Sequence, residues 1–358
     1  MKKLIQNLSL LLFISLVVGC ATEKKEISDE TKNTVADSLQ QTKDDLMAGI
    51  TRAVAYSGFR EGQHPDRGNG ASNPTYEETL EDLKILSRDD YFQLIRLYDC
   101  DENSQMVLKV IKENNLNIKV MQGLWLDAEI SNHEGCGWLT EPIKAEKLAA
   151  NKKSNLEEIE MGIKLANKYP DIIVAVNVGN EMLVEWNDHM CELDTAITYV
   201  KRVQNSIKQP VSVAENSHWW ANKGAKLAEV VDFLAVHVYP LWEGQDITNA
   251  LEYSIENTMM VKRNIPNKKI VITELGWATV AAEFGERASE EKQEIYYNKI
   301  YNWAERMNIT TFFFEAFDEP WKGETANPDG AEKHWGIFNV DRTPKKVMQK
   351  LYPDLIKK

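Results

Sequence analysis

Eight short runs rich in β-branched and aromatic residues recur along the chain, and this recurrence constrains the fold more than any other feature. They are RAVAYS (52–57), FQLIRLY (92–98), IKVMQGLW (118–125), DIIVAVNVG (171–179), VSVAE (211–215), DFLAVHVYP (232–240), KIVITELGW (269–277) and TTFFFEAF (310–317). Such runs read as buried strands. Several of the stretches between them carry helical patterns: YEETLEDLKIL (76–86), SQMVLKVIKENN (104–115), NLEEIEMGIKLANKY (155–169), LDTAITYVKRVQNSI (193–207) and EEKQEIYYNKIYNWAERM (290–307). Strand and helix alternating eight times in one chain predicts an α/β fold, the (β/α)₈ TIM barrel. A doubly wound open sheet is the rival, but it usually advertises a glycine-rich phosphate turn after an early strand, and none is present.

The chain begins differently. Lys2 and Lys3 precede the mostly apolar run LSLLLFISLVV and then Gly19 and Cys20, the pattern of a secretory signal peptide over residues 1–19. The run is too short to read as a membrane span. LVVGC (16–20) resembles the lipobox of bacterial lipoproteins, which implies lipidation of Cys20, export, and a lipid anchor in a bacterial membrane; it leaves the membrane face open, and the polar stretch that follows suits display at the cell surface. Residues 20–48 are dominated by Lys, Glu, Asp, Thr and Ser, so they are expected to form a flexible tether, with a short helix near 34–46. Residues 49–358 are expected to form the barrel, with no second domain or internal repeat.

With 358 residues and 43% hydrophobic residues the chain can bury a substantial core, and its formal net charge of -13 would repel nucleic acid phosphates. A neutral, polyhydroxylated partner suits that balance better than a polyanion. After Cys20, an odd number of cysteines remains (Cys100, Cys136 and Cys191), which allows at most one internal disulfide, of unspecified pairing. No Cys/His spacing suggests zinc, so neither metal nor cofactor is expected. A monomer is expected.

In a (β/α)₈ barrel the active site is assembled where the strands end, so polar residues finishing apolar runs are the candidates. They are Tyr56; Arg96, Tyr98 and Asp99; Trp125 and Asp127; Asn180 and Glu181; Glu215, Asn216 and His218; His237 and Tyr239; Glu274 and Trp277; and Glu315, Asp318, Glu319, Trp321 and Lys322. Two carboxylates facing each other across such a rim are what glycosidic bond cleavage needs, one donating a proton and the other remaining ionised. Aromatic rings suit the apolar faces of sugars, and Arg, Asn, His and Glu can hydrogen-bond their hydroxyls.

VNVGNE (176–181) and ITELGW (272–277) resemble the strand-four and strand-seven signatures of glycoside hydrolase family 17, the β-1,3-glucanase family of the clan A barrels. AYSGFREGQHPD (55–66), IRLYDCD (95–101), FDEPWK (317–322) and HWGIFNVDRTPK (334–345) are similar to further segments of that family in its bacterial branch. The resemblance implies Glu181 as acid/base, Glu274 as nucleophile and Asn180 as the partner of a sugar 2-hydroxyl. It also implies retention of configuration and a laminarin-type β-1,3-glucan substrate, with a β-1,3-glucan transglycosylase using the same pair as the alternative. A non-catalytic glycan-binding surface lipoprotein is the rival from another class.

The expected substrate-binding residues are Tyr56, Arg96, Tyr98, Asn180, Glu215, Tyr239, Trp277, Glu319, Trp321 and Lys322. Arg96 either pairs with Glu274 or with another barrel carboxylate, and Tyr239 either flanks the nucleophile or packs the rim. Glu319 and Lys322 form either a substrate-facing pair or a plain salt bridge. Trp277 and Trp321 are favoured as sugar platforms because they directly follow strand ends, whereas Trp303 reads as core. The sequence leaves open endo or exo action and hydrolysis or transfer. The loop over 133–147 and the segment around Pro320 and Trp321 match no landmark of the plant enzymes.

Overall fold

The computed structural model describes residues 39–66 and 68–357. Cys20 and the expected signal peptide lie outside the described residues. Eight parallel strands close into a barrel in chain order: β1 (Arg52–Ala55), β2 (Leu94–Arg96), β3 (Lys119–Leu124), β4 (Ile173–Asn180), β5 (Val211–Asn216), β6 (Leu234–Val238), β7 (Ile270–Leu275) and β8 (Thr311–Phe313). Closure runs through the parallel pairing of β8 with β1, with Arg52 opposite Thr311 and Val54 opposite Phe313. The α-helices are α1 (Tyr76–Leu86), α2 (Glu102–Asn114), α3 (Ala145–Lys168), α4 (Leu193–Gln204), α5 (Ser217–Lys223), α6 (Ala225–Ala228), α7 (Ala250–Asn264) and α8 (Glu290–Met307). The protein is thus a (β/α)₈ barrel, as its sequence pattern predicts.

Helices α1 and α8 coincide with the expected ranges, because each begins at a capping side chain. Thr75 accepts from the Glu78 amide and Ser289 from the Lys292 amide, both at 3.2 Å. Helix α3 starts well before Asn155, at Ala145, because AEKLAANKKS is polar yet made mostly of good helix formers. Helices α5, α6 and α7 fall in stretches where the sequence pattern predicts no helix.

Two apolar layers sit on either side of the strands. The outer one packs helices onto the barrel. The inner one fills its lower half with Ala53, Leu94, Met121, Ala175, Ala214, Phe233, Ala235, Val271 and Phe312, a mixture of small and large residues that suits the narrow interior. Met47 closes this layer from below. Its amide donates to Thr310 Oγ1 at 2.8 Å, while the Gln41 side chain accepts from the Ile270 amide at 2.6 Å and donates to the Ile270 carbonyl at 3.0 Å. Residues 39–48 are therefore docked on the barrel floor rather than free, a correction to the expected tether. Sparse apolar residues sufficed because two of them, Leu39 and Met47, are buried. In place of the expected helix near 34–46, the described part contains short 3₁₀ turns at Lys43–Asp45 and Met47–Gly49.

A buried ion network joins the closing segment to the first βα unit. Arg342 grips Asp82 with Nε to Oδ1 at 2.7 Å and Nη2 to Oδ2 at 2.6 Å, and Arg60 adds a contact to Oδ1 at 2.8 Å. Replacing Asp82 with Ala leaves the Arg342 guanidinium buried without its partner, so unfolding in urea should show a loss of about 3–5 kcal/mol. A loss below about 1 kcal/mol would mean that water reaches the guanidinium and that the network is dispensable. Cys100, Cys136 and Cys191 are each buried and unpaired.

Candidate active site

Glu274 stands on β7 at the centre of a converging set of donors. Arg96 Nη1 reaches its Oε1 at 2.6 Å, the Tyr98 hydroxyl donates to the same oxygen at 3.0 Å, and the Tyr239 hydroxyl donates to Oε2 at 2.7 Å. Arg96 is 1% exposed and also binds Asn180 Oδ1 through Nη2 at 2.6 Å. One guanidinium thus ties together residues from β2, β4 and β7.

Burial alone would raise the Glu274 pKa, but the imidazole of His237, the Arg96 guanidinium and the two tyrosine hydroxyls outweigh it, and the carboxyl is held below its ordinary range. Tyr98 and Tyr239 are pushed well above the usual phenol range by burial and then by the Glu274 charge, so both remain donors.

His237 sits between the two carboxylates. Its Nε2 lies 3.2 Å from Arg96 Nη1, and because a guanidinium only donates, Nε2 accepts and the ring proton is assigned to Nδ1. Nδ1 lies 3.0 Å from Glu181 Oε1 and 3.5 Å from Glu274 Oε2, so those two oxygens are at most the sum of the legs, 6.5 Å, apart. Glu181 itself has φ +48°, a left-handed conformation that costs a non-glycine residue about 1–2 kcal/mol. Strained residues of this kind cluster at functional sites.

Strand irregularity explains how these groups come to face inward. Side chains alternate along a strand, and Ala175 on β4 and Val271 on β7 point into the barrel. Unbroken alternation would turn Asn180 and Glu274 outward to the helices. The register slips between Asn177 and Asn180 on β4 and between Ile272 and Leu275 on β7, and these bulges re-aim both residues toward Arg96. On β4 the slip includes Gly179 at φ +86°, where a Cβ would come within 2.4 Å of Met182 Sδ.

The structure therefore gathers Glu181, Glu274, Arg96, Tyr98, Asn180 and Tyr239 into one cluster. Lys322 stands nearby on the loop after β8, 3.0 Å from Glu315 and paired with Glu319, with its ammonium 4.4 Å above the Phe314 ring. Burial and the neighbouring Glu319 push Glu315 far up, whereas Lys322 overcomes the effect of burial on Glu319 and holds it down. Trp321 is half-buried, donates from Nε1 to Glu319 at 2.9 Å and packs edge-on against Phe59.

Other expected residues lie elsewhere. Trp277 is 0% exposed, packs on Tyr296 and donates to the Arg287 carbonyl at 3.0 Å, so neither ring face is open to a sugar. Tyr56 is likewise buried and hydrogen-bonded to Asp82 at 3.2 Å. Glu215 is buried beneath the turn after β4 and accepts from the Leu183 amide at 2.9 Å, out of reach of a ligand in the cleft. Asn216 caps α5 through the His218 amide at 2.8 Å.

The open indoles are instead Trp125 and Trp138 on the loop after β3, Trp186 after β4 and Trp242 after β6. Trp125 stacks against His189, whose Nε2 lies 2.8 Å from the Asn180 carbonyl oxygen. Sequence position marks all of these rings as strand-end or loop tryptophans, but it does not say which ring a neighbouring loop will cover.

Residues 53–336 match the BtgE/BtgC glycoside hydrolase domain, a span that begins in β1 and ends beyond β8. A glucan 1,3-beta-glucosidase of Arthroderma benhamiae is 26% identical over 308 residues, covering 82% of this chain and 90% of that protein. Among solved structures, an endo-laminarinase from Formosa Hel1_33_131 superposes with a TM-score of 0.74 at 27% identity, over 88% of this chain and 89% of the other. A β-1,3-glucanosyltransferase of Rhizomucor miehei, solved as an active-site mutant with laminaritriose, shares the fold with a TM-score of 0.64 at 20% identity, covering 83% of this chain and 96% of that one. With the family match extending over most of the barrel and two glutamates meeting on its C-terminal rim, the chain belongs to the BtgE/BtgC glycoside hydrolase domain family and is a glycoside hydrolase.

Proposed function

We propose that this enzyme hydrolyses laminarin-type β-1,3-glucan with retention of configuration, as the resemblance to family 17 implies. Glu274 acts as nucleophile and Glu181 as acid/base. The observation that carries the pairing of these two carboxylates is their shared contact with His237 Nδ1, at 3.0 Å and 3.5 Å, which places their nearest oxygens within 6.5 Å of each other. Retaining enzymes hold their carboxyls about 5–5.5 Å apart and inverting ones about 6.5–9.5 Å; the bound admits the retaining spacing, and retention itself is what the family resemblance implies. The β-1,3-glucan specificity draws its support from the named activities of the Arthroderma glucosidase and the Formosa laminarinase.

In the first step a Glu274 oxygen bonds to the anomeric carbon while the glycosidic C–O bond breaks and Glu181 gives its proton to the departing oxygen. In the second, Glu181 takes a proton from the acceptor hydroxyl, whose oxygen displaces Glu274 from the anomeric carbon. Arg96, Tyr98 and Tyr239 keep the nucleophile ionised and aligned, and the His237 Nδ1 proton steadies Glu181. The half-open indoles of Trp125, Trp138, Trp186 and Trp242 suit the apolar faces of successive sugars.

The test is incubation with laminarin while the anomeric form of fresh products is followed by proton NMR. β-Anomers appearing first support the reading, and α-anomers would overturn retention. Products longer than a laminari-oligosaccharide substrate would instead identify a transglycosylase, and binding without any bond cleavage would identify a glycan-capture protein.

The pH dependence offers a separate test. Tyr239→Phe removes a 2.7 Å hydrogen bond to the ionised form of Glu274, an interaction worth about 1.5–3 kcal/mol. Its loss favours the protonated form, so the acid limb of kcat/KM should move up by roughly one to two pH units. A limb that stays in place would remove Glu274 as the group titrating there.

The same reading extends to the chain outside the described residues. Cys20 is taken as a lipid attachment site, with the enzyme displayed on a bacterial membrane. Accumulation of the uncleaved precursor under globomycin supports this, and processing unaffected by globomycin contradicts it.

A further inference from the structure

The end of β5 carries a carboxyl group that the double displacement does not use. Glu215 is fully buried, and its Oε1 accepts from the Leu183 amide at 2.9 Å. The preceding residue, Ala214, accepts from the Glu181 amide through its carbonyl at 2.8 Å. The amides of residues 181 and 183 are therefore held by two adjacent residues of β5. This is the turn that bends Glu181 into its left-handed conformation at φ +48°.

A turn of that kind persists only when its surroundings over-determine it. The other ties act on carbonyls: Asn187 Nδ2 donates to the Glu181 carbonyl at 3.0 Å, and the Cys191 amide donates to the Met182 carbonyl at 2.8 Å. Among the side-chain ties described, Glu215 is the one that takes up an amide of the turn. A hydrophobic residue of the same size would leave the buried Leu183 N–H group without an acceptor, and the turn would relax toward a conformation with φ below zero. The Glu181 carboxyl would then swing away from His237 Nδ1 and from the glycosidic oxygen it must protonate.

We propose that Glu215 is a positioning residue for the acid/base: clamped on the 183 amide, it fixes the turn that aims Glu181 at the leaving oxygen. This rests on the reading of Glu181 as acid/base. Glu215 has no exposed atom to offer a substrate, which replaces its expected substrate-binding role. Burial and the nearby Glu181 both push its pKa far up, so a neutral carboxyl can serve, and an amide oxygen should do the same work.

The test compares Glu215→Gln, Glu215→Asp and Glu215→Leu on two substrates, laminarin and 2,4-dinitrophenyl β-laminaribioside, whose leaving group departs without a proton. Glu215→Gln keeps an acceptor oxygen and should stay within about threefold of the wild type on both. Glu215→Leu should lose about 10²-fold in kcat on laminarin with KM little changed, as expected for a sub-ångström to ångström misplacement. It should also release dinitrophenolate in the first turnover at close to the wild-type rate. Glu215→Asp, which shortens the clamp by one carbon, should show the same pattern more weakly, and it serves if Glu215→Leu does not fold.

Equal losses on both substrates would overturn the proposal. So would a fall in melting temperature with kcat per folded molecule unchanged, because that is the signature of a purely structural cap. Glu181→Ala is the control. If dinitrophenolate release is not preserved in that variant, the assignment of Glu181 fails. If it is preserved there but not in the Glu215 variants, the assignment of Glu215 fails.

Discussion

Glu274→Gln should lower kcat on laminarin by about 10⁴–10⁶-fold, because a neutral amide cannot attack the anomeric carbon and no neighbouring group can take its place. Glutamine has nearly the shape of glutamate and can still accept from Arg96, so the protein should remain folded, which circular dichroism and a melting curve would check. A 2-deoxy-2-fluoro laminaribiosyl fluoride should label the wild-type enzyme covalently, and peptide mapping should find the sugar on Glu274. Label on another carboxylate, or a rate within tenfold of the wild type, would sink the assignment.

Glu274 also makes a pH statement. Its folded pKa lies below the ordinary carboxylate value, so its ion pair contributes stability that is present above the unfolded pKa and is lost as pH falls through the folded one. The Glu274→Gln variant should therefore unfold with a shallower acid dependence than the wild type.

Glu181→Ala is expected to slow laminarin cleavage by about 10²–10⁴-fold, the usual worth of a general acid. Unlike the loss of the nucleophile, this defect should be repairable. Azide is small enough to enter the space left by the missing carboxyl and needs no base to activate it, so with an activated substrate it should restore turnover and yield a β-configured glycosyl azide. An α-azide would indicate inversion. No rescue at all, with Glu274 still labelled by the fluoro sugar, would mean that another group protonates the leaving oxygen.

The eight strands were legible because each is a short apolar run with a helix-length segment after it. The pairing of all eight into one closed sheet follows from that alternation. Glu181, Glu274, Arg96, Asn180 and Tyr239 were legible as polar residues ending such runs. The ambiguities attached to them were resolved by contact. Arg96 does pair with Glu274, and Tyr239 does flank it.

Trp277 shows the opposite case. It follows a strand end as directly as Arg96 or Tyr239 does, yet the segment reaching Arg287 and the face of α8 cover it completely. Trp138 and Trp186, in loops without any strand or helix periodicity, turn out to be among the open rings. Residues 39–48 illustrate the same limit at the other end of the barrel. Their composition is that of a tether, and only the unfilled floor of the barrel gives Met47 and Gln41 something to dock on.

By itself the sequence determined the barrel, the order of its strands and the set of polar residues at their ends, because apolar periodicity and strand-end position are local properties that a linear chain displays; the choice of Glu181 and Glu274 among them is what the resemblance to family 17 implies. What only the tertiary structure decided is the direction in which those carboxylates point. Simple alternation along β4 and β7 would send Asn180 and Glu274 to the helices, and the bulges that reverse them exist only once neighbouring strands are in register. The left-handed turn at Glu181 is of the same kind. It depends on acceptors supplied by β5, a separate run some thirty residues further along the chain. Side-chain identity is written in order, but its aim is set by the strands on either side.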